Sequence, residues 1–313
     1  MIVVDAHCDT LLLAFQRNCL YDLGNKSQLD LKRLINNVNL QLFAVFIESC
    51  FKPYQSLQRG LELIETYHKE IEKNSTYIQQ IKTKKCLLEV GKKDKIFSLL
   101  TVEGGEILQG NLLILDILFR LGVRSICLTW NQRNEIADGC GDSFSKGGLT
   151  YFGLKIVEKM NYLGMIIDLA HISEKGFWSV LEHSRDPIMV SHANCQVLQP
   201  HVRNLNNEQI IALSQNGGVM GITFVPEFLS SDKNASIDDV IKHIDYAVSL
   251  AGPNHVGLGS DFDGSDGIVK GLEDVTKIYN IAKGLAKRGY SEAHIDKIMG
   301  GNFIRLFNQV LPE

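Results

Sequence analysis

Five apolar runs in this chain stop at, or just before, a residue able to hold a cation. They are VVDAHCDT with His7 and Asp9, LLTVEGGE with Glu103, IIDLAHIS with His171, IMVSHANC with His192, and VGLGSDFDG with Asp261 and Asp263. A hydrophobic segment that ends on a lone His, Asp or Glu reads as a strand whose tip faces a polar site. Five such tips converge only if the strands lie side by side with the same polarity. That is the geometry of a parallel barrel with its site at the carboxyl ends of its strands.

The rest of the chain follows the same plan. Apolar runs predict strands over Ile2–Asp9, Leu40–Ile47, Ile96–Val102, Ser125–Thr129, Gly164–Leu169, Ile188–Ser191, Gly218–Thr223 and Val256–Ser260. Amphipathic stretches separate them. Apolar residues at Leu57, Leu61, Ile64, Tyr67 and Ile71 recur at helical spacing. Ser173, Asn206 or Asn207, and Ser236 are N-cap residues for three further helices, and Gly252 closes the last of these. The stretch from Phe51 to Lys95 implies an elaborated second unit, and the tail from Gly271 to Val310 two or more helices outside the barrel. Eight alternations of strand and helix predict a (β/α)8 TIM-type barrel, one domain over residues 1–313 with extra C-terminal helices. An open doubly wound sheet would place a glycine-rich turn after its first strand. This chain has His-Cys-Asp there.

Composition narrows the function. The 313 residues are 45% hydrophobic and 22% charged, enough for a large core, and the net charge of −4 gives no electrostatic case for nucleic acid or an anionic membrane. The lysines at 82, 84 and 85 read as solvated helix ends. Seven cysteines with no C-x-x-C pair point to free thiols in a reducing compartment. A candidate ligand at residue 7 leaves no room for an export signal, and no run reaches the length of a membrane span. The expectation is a cytoplasmic protein.

In a strand, residues two apart share a face, so His7 and Asp9 point together and Cys8 away. Alone, H-x-D is a chance pair more often than a site; its place at a strand end gives it weight. Asp5 shares that parity one pleat deeper and reads as a supporting carboxylate. Glu103 is a carboxylate at the end of a buried strand, costly unless a cation or donor meets it, and Gly104 and Gly105 let the backbone turn away. His171 and His192 each close an apolar run, whereas His68, His183, His243 and His294 fall in helical patterns and His201 in a loop. Three histidines and two carboxylates exceed the three protein ligands of a single catalytic zinc. A bridging Glu103 resolves the excess, with His7 and Asp9 on one ion and His171 and His192 on the other. Asp261 is the candidate proton carrier; Asp263 is as readily a turn residue around Gly264.

These motifs, with RN at 203–204, GLEDVTKI and GGNFIRLF, occur in family order and resemble the renal (membrane) dipeptidase family of binuclear zinc peptidases in the amidohydrolase superfamily. The resemblance implies two Zn2+ per chain, other divalent metals being admissible, on His7, Asp9, bridging Glu103, His171 and His192. It implies Asp261 as the catalytic carboxylate and Arg203 as the partner of the substrate's carboxylate, a residue that spacing alone does not single out. Trp130 stands where animal members carry a histidine thought to contact substrate, so substrate contacts are assigned to the neighbourhood of Trp130, Asn131 and Arg133. The reaction implied is hydrolysis of a dipeptide amide, including one with a C-terminal D-residue, by a hydroxide bridging the ions, in a homodimer. The alternative is a binuclear amidohydrolase acting on a lactam, a cyclic amide or an N-acyl amino acid.

Overall fold

The computed structural model describes residues 1–92, 95–231 and 234–313. Its strands are β1 (Val4–Asp5), β2 (Leu40–Phe46), β3 (Ile78–Gln80), β4 (Ile96–Glu103), β5 (Val123–Cys127), β6 (Ile166–Asp168), β7 (Met189–Ala193), β8 (Val219–Ile222) and β9 (Val256–Leu258). Every pairing among them is parallel. The order β2-β1-β9-β8-β7-β6-β5-β4 returns to β2, so eight strands close the expected barrel. The addition is β3, which pairs with residues 96–98 of β4, while β5 joins the same edge from Leu100 onward.

Side-chain alternation along β4 explains how the barrel is filled. Ser98 accepts or donates at 2.7 Å with Tyr67, which lies on the covering helix Ser56–Lys73, so this face of the strand is the outer one. Phe97, Leu99, Thr101 and Glu103 therefore point inward. At the amino ends of the strands, Val4, Leu40, Phe97, Ile166, Met189 and Val219 form an apolar cluster with Phe303, Leu306 and Phe307 of the helix Asn302–Val310. The tail thus seals the lower end with hydrocarbon, and the polar residues of the interior are left at the upper end.

The helix signals act as expected. Ser173 and Asn206 accept the backbone N–H of Gly176 and Gln209 at the starts of Glu174–His183 and Asn207–Gln215. Ser236 N donates to Asp239 at the start of Ile237–Ala251, and Gly252 ends it at φ 77°. Gly164, expected in a strand, instead terminates the helix Tyr151–Leu163 at φ 68°, a conformation glycine adopts without penalty. No helix among the described residues is long and apolar enough to cross a membrane.

The first strand is shorter than expected, for a local reason. Val3 O accepts from Leu40 N and Cys8 O from Ala44 N, so five steps along β1 face four along β2. The extra residue is a bulge, which re-aims side chains and breaks two-residue alternation. Parity therefore does not carry from Asp5 to His7. Asp5 instead reaches sideways to β9, where its carboxylate accepts from Ser260 N and Ser260 Oγ, both at 2.7 Å.

Burial, against those two hydrogen bonds, pushes the Asp5 carboxyl up to about 6 from 3.8. The folded protein then holds this proton more tightly than the unfolded chain. The resulting stabilisation is complete below about pH 4 and is lost as pH rises through about 6. Asp5→Asn, which does not titrate, should gain on the parent by about 3 kcal/mol between pH 4 and 7. Urea denaturation of the chelator-treated proteins checks this, and a pH-independent difference would contradict it.

Candidate active site

The upper rim brings the candidate ligands together. His7 follows β1, Glu103 ends β4, His171 lies three residues beyond β6, His192 is within β7, and Asp261 lies three residues beyond β9. Asp9 sits at the N-cap of the helix Thr10–Arg17, whose first turn carries the chain off the rim. Because β1 and β9 are neighbours, Asp261 N donates to His7 O at 3.2 Å and Asp9 N to Phe262 O at 3.0 Å. All six side chains are buried or nearly so.

Two ligand sets share one carboxylate. His7 Nε2 lies 3.3 Å from Glu103 Oε2 and 3.6 Å from Asp9 Oδ2. On the other side, Glu103 Oε1 lies 2.7 Å from His171 Nε2 and 3.7 Å from His192 Nε2. His7–Asp9–Glu103 and Glu103–His171–His192 each gather their ligand atoms within 4.8 Å of one another, and so do His7, His192 and Asp261.

The protonation pattern tests whether cations fit. His171 Nδ1 lies 2.8 Å from Asn131 Oδ1, an oxygen that only accepts, so the ring proton is on Nδ1 and Nε2 is bare. That bare nitrogen faces the Glu103 carboxylate at 2.7 Å and the His192 Nε2 at 2.9 Å. The bare nitrogen and the carboxylate oxygen, two acceptors at that distance, repel unless a cation lies between them. His7 Nε2, Asp9 Oδ1 and Glu103 Oε2 are also buried with no hydrogen-bond partner among the described residues. The donor set of imidazole nitrogen and carboxylate oxygen is that of zinc and similar divalent ions.

Electrostatics agree for His171 and His192, whereas at His7 burial is outweighed by Glu103 and Asp9, which raise its proton affinity. Burial, with the Arg203 charge nearby, pushes His171 down to about 3, and burial also holds His192 well below its ordinary value. Both imidazoles are therefore neutral at physiological pH, the form in which a ring nitrogen can hold a cation. Burial would raise Glu103, but His7 and His171 outweigh it and hold the carboxyl well below the usual range. Burial raises Asp261, and the Glu103 charge adds to the rise.

The surroundings fix these groups. Asp261 has φ 64°, which few residues other than glycine adopt, and a Cβ on Gly264 would collide with Asp261 Oδ1 and Asp9 Oδ2. Glycine at 264 is what lets the loop close over the two carboxylates. Asp263 is structural: it accepts from Thr10 Oγ1, Ser27 Oγ and Gln28 N at 2.6–2.8 Å. Arg203 is buried, its Nη2 donates to His192 O at 3.0 Å, and its Nε has no protein partner among the described residues.

Trp130 stacks beside His171 (ring centroids 6.1 Å) and Phe46 (5.3 Å), with Lys52 Nζ 4.6 Å from its ring. Lys52 is in turn paired with Glu106. Arg133 is drawn to Asp138, away from the ligands. Asn131, expected beside substrate, is engaged with His171. Three supports went unread in the sequence: Ser191, whose Oγ lies 2.8 Å from His192 Nδ1; Asp168, which accepts from Ser191 N at 2.9 Å; and the Lys52–Glu106 pair. Asp168 had a signal, a carboxylate inside the apolar run MIID. Lys52 and Glu106 had none.

A closed parallel barrel that aims three imidazoles and three carboxylates at one point is that of a metal-dependent hydrolase. Residues 1–311 match the model of the membrane dipeptidase family (peptidase family M19), and the chain belongs to that family. It is 32% identical over 293 residues to the dipeptidase tcpJ of Claviceps purpurea (strain 20.1), covering 90% of this chain and 69% of that one. In fold it is similar to the metallopeptidase dipeptidase AC of family M19, with TM-score 0.93, 24% identity and coverage of 100% and 99%. It is likewise similar to a metallopeptidase from Rhodobacter sphaeroides liganded with a phosphinate mimic of L-Ala-D-Ala, with TM-score 0.92, 23% identity and coverage of 99% of each chain. By family the protein is a metallo-dipeptidase, a hydrolase of peptide bonds.

If Asn131 orients His171, Asn131→Ala should weaken metal binding by about 10–100-fold. Competition against a chromophoric chelator measures it. Unchanged affinity with a raised KM would instead return Asn131 to the substrate.

Proposed function

We propose that this protein hydrolyses dipeptides, including those with a C-terminal D-residue, using two zinc ions that share Glu103. The observation that carries the reading is Glu103 itself, whose two oxygens face separate pairs of ligands. His7 and Asp9 would hold one ion, and His171 and His192 the other. When bound, such ions supply Lewis acidity to the scissile carbonyl and to the attacking water.

The chain's own residues supply the rest. Asp261 Oδ1 is 3.7 Å from His7 Nε2, and burial raises its proton affinity. It takes a proton from the attacking water and returns it to the leaving amine. Arg203 receives the substrate's terminal carboxylate; its unpartnered Nε supports that role, and a guanidinium is suited to a planar anion. The clamp selects short substrates, because a longer peptide would place chain where the carboxylate belongs. Trp130 forms the wall against the substrate side chain, and Asn131 acts through His171.

The phosphinate L-Ala-D-Ala mimic on the Rhodobacter relative supports tolerance of a D-residue. Residues 1–313 work as one barrel domain in this reading. A reducing, cytoplasmic location is supported by seven unpaired cysteines. The adjoining helices Leu112–Arg120 and Tyr151–Leu163 expose Leu113, Ile117, Tyr151 and Tyr162, a surface that suits a homodimer.

Asp261→Asn should keep its metal yet lose about 10²–10⁴-fold in kcat on L-Ala-D-Ala. Metal analysis alongside turnover tests it, and a metal-loaded variant of near-parental rate would remove Asp261 from proton transfer.

A further inference from the structure

Arg203 lies in a loop that leaves β7 and rejoins the fold at the helix Asn207–Gln215. The loop closes on itself at a neck. Cys195 pairs with Leu205, Gln196 N donates to Leu205 O at 2.8 Å, and Leu205 N to Asn194 O at 2.9 Å. Arg203 stands two residues inside that neck, so its guanidinium is placed by whatever holds the neck.

Part of the hold comes from within. Asn204 Oδ1 accepts from Asn194 N at 3.1 Å, and its Nδ2 donates to Gln199 O and Phe228 O. The other part comes from a residue remote in sequence. His243, buried in the helix Ile237–Ala251, takes the Cys195 N–H on Nδ1 at 3.0 Å. An accepting Nδ1 requires the ring proton on Nε2, which then donates to Leu229 O at 3.0 Å. Burial keeps this imidazole neutral, as two-sided use of the ring demands. Leu229 ends the short helix Pro226–Leu229 after β8, whose Phe228 stacks on His201 at 4.4 Å and lies 5.6 Å from the Arg203 guanidinium. One ring therefore ties the neck of the arginine loop to the segment on which that arginine rests.

We infer that His243 is a positioning residue for recognition of the substrate carboxylate, acting through the Cys195 N–H on the loop that presents Arg203. The inference rests on the reading of Arg203 given above. A merely stabilising histidine would not distinguish its two nitrogens, whereas this role belongs to Nδ1. His243→Asn places an amide oxygen near the Nδ1 position and keeps the bond to Cys195. His243→Gln places its amide near the Nε2 position, keeping the bond to Leu229 and losing the one to Cys195.

The test compares inhibition by a phosphinate mimic of L-Ala-D-Ala with inhibition by its C-terminal carboxamide, on the metal-loaded protein. The parent should prefer the free acid, and Arg203→Met should abolish that preference. His243→Gln should reduce the preference about tenfold, the effect of roughly one hydrogen bond, with metal content unchanged. His243→Asn should stay within about twofold of the parent. If the Gln variant is insoluble, His243→Leu, which also lacks the acceptor, takes its place. Equal shifts in the Asn and Gln variants, or none in either, while Arg203→Met still abolishes the preference, would overturn the inference alone. A preference that survives Arg203→Met overturns the carboxylate reading and this inference with it.

Discussion

An ionised glutamate at the buried tip of β4 is the constraint on which this molecule is organised. Glu103 points into the barrel because Phe97, Leu99 and Thr101 do, so its charge cannot turn to solvent without disturbing the interior packing. A buried carboxylate is tolerated only when its oxygens are met by donors or cations. Here both oxygens face imidazoles, and one of those, His171, presents a bare nitrogen. On the His171 side no proton lies between nitrogen and carboxylate oxygen. In the proposed reading two divalent ions would complete the site, and the charge that neutralises Glu103 is what a hydrolase needs beside a scissile carbonyl.

The scaffold serves that point at both ends. Hydrocarbon from the C-terminal helix fills the lower barrel, which leaves the ionisable residues only one end to occupy. Around the rim, two buried carboxylates outside the candidate ligand set brace its neighbours. Asp5 holds Ser260, next to Asp261, and Asp168 holds Ser191, next to His192. Each braces the next side chain through its neighbour's backbone N–H. Outer supports of this kind typically change metal affinity or activity by about 10–100-fold when removed.

What the sequence made legible follows from which forces are local. Strand tips were readable because an apolar run that stops at His171 or His192 changes character within a residue, and both lie at the rim. Helix starts were readable because Ser173 and Asn206 cap through their own next turn. The bulge before His7 has no compositional mark, since it depends on the length of a partner strand. β3 is three residues long with two glutamines, too short and too polar to show a strand pattern. His243 was correctly placed on a helix, but its partners are backbone groups of a distant loop and a distant short helix, and no periodicity announces them. Arg203 came from family resemblance alone. Asn131 was expected near substrate, and only its distance to His171 shows what it touches.

The central claim is that Glu103 is shared between two cations. Anomalous diffraction from crystals of the metal-loaded protein, collected on both sides of the zinc edge, reads this directly. The account predicts two peaks, one between Glu103 and the His7–Asp9 pair and one between Glu103 and the His171–His192 pair. A single peak, or peaks remote from Glu103, would contradict it.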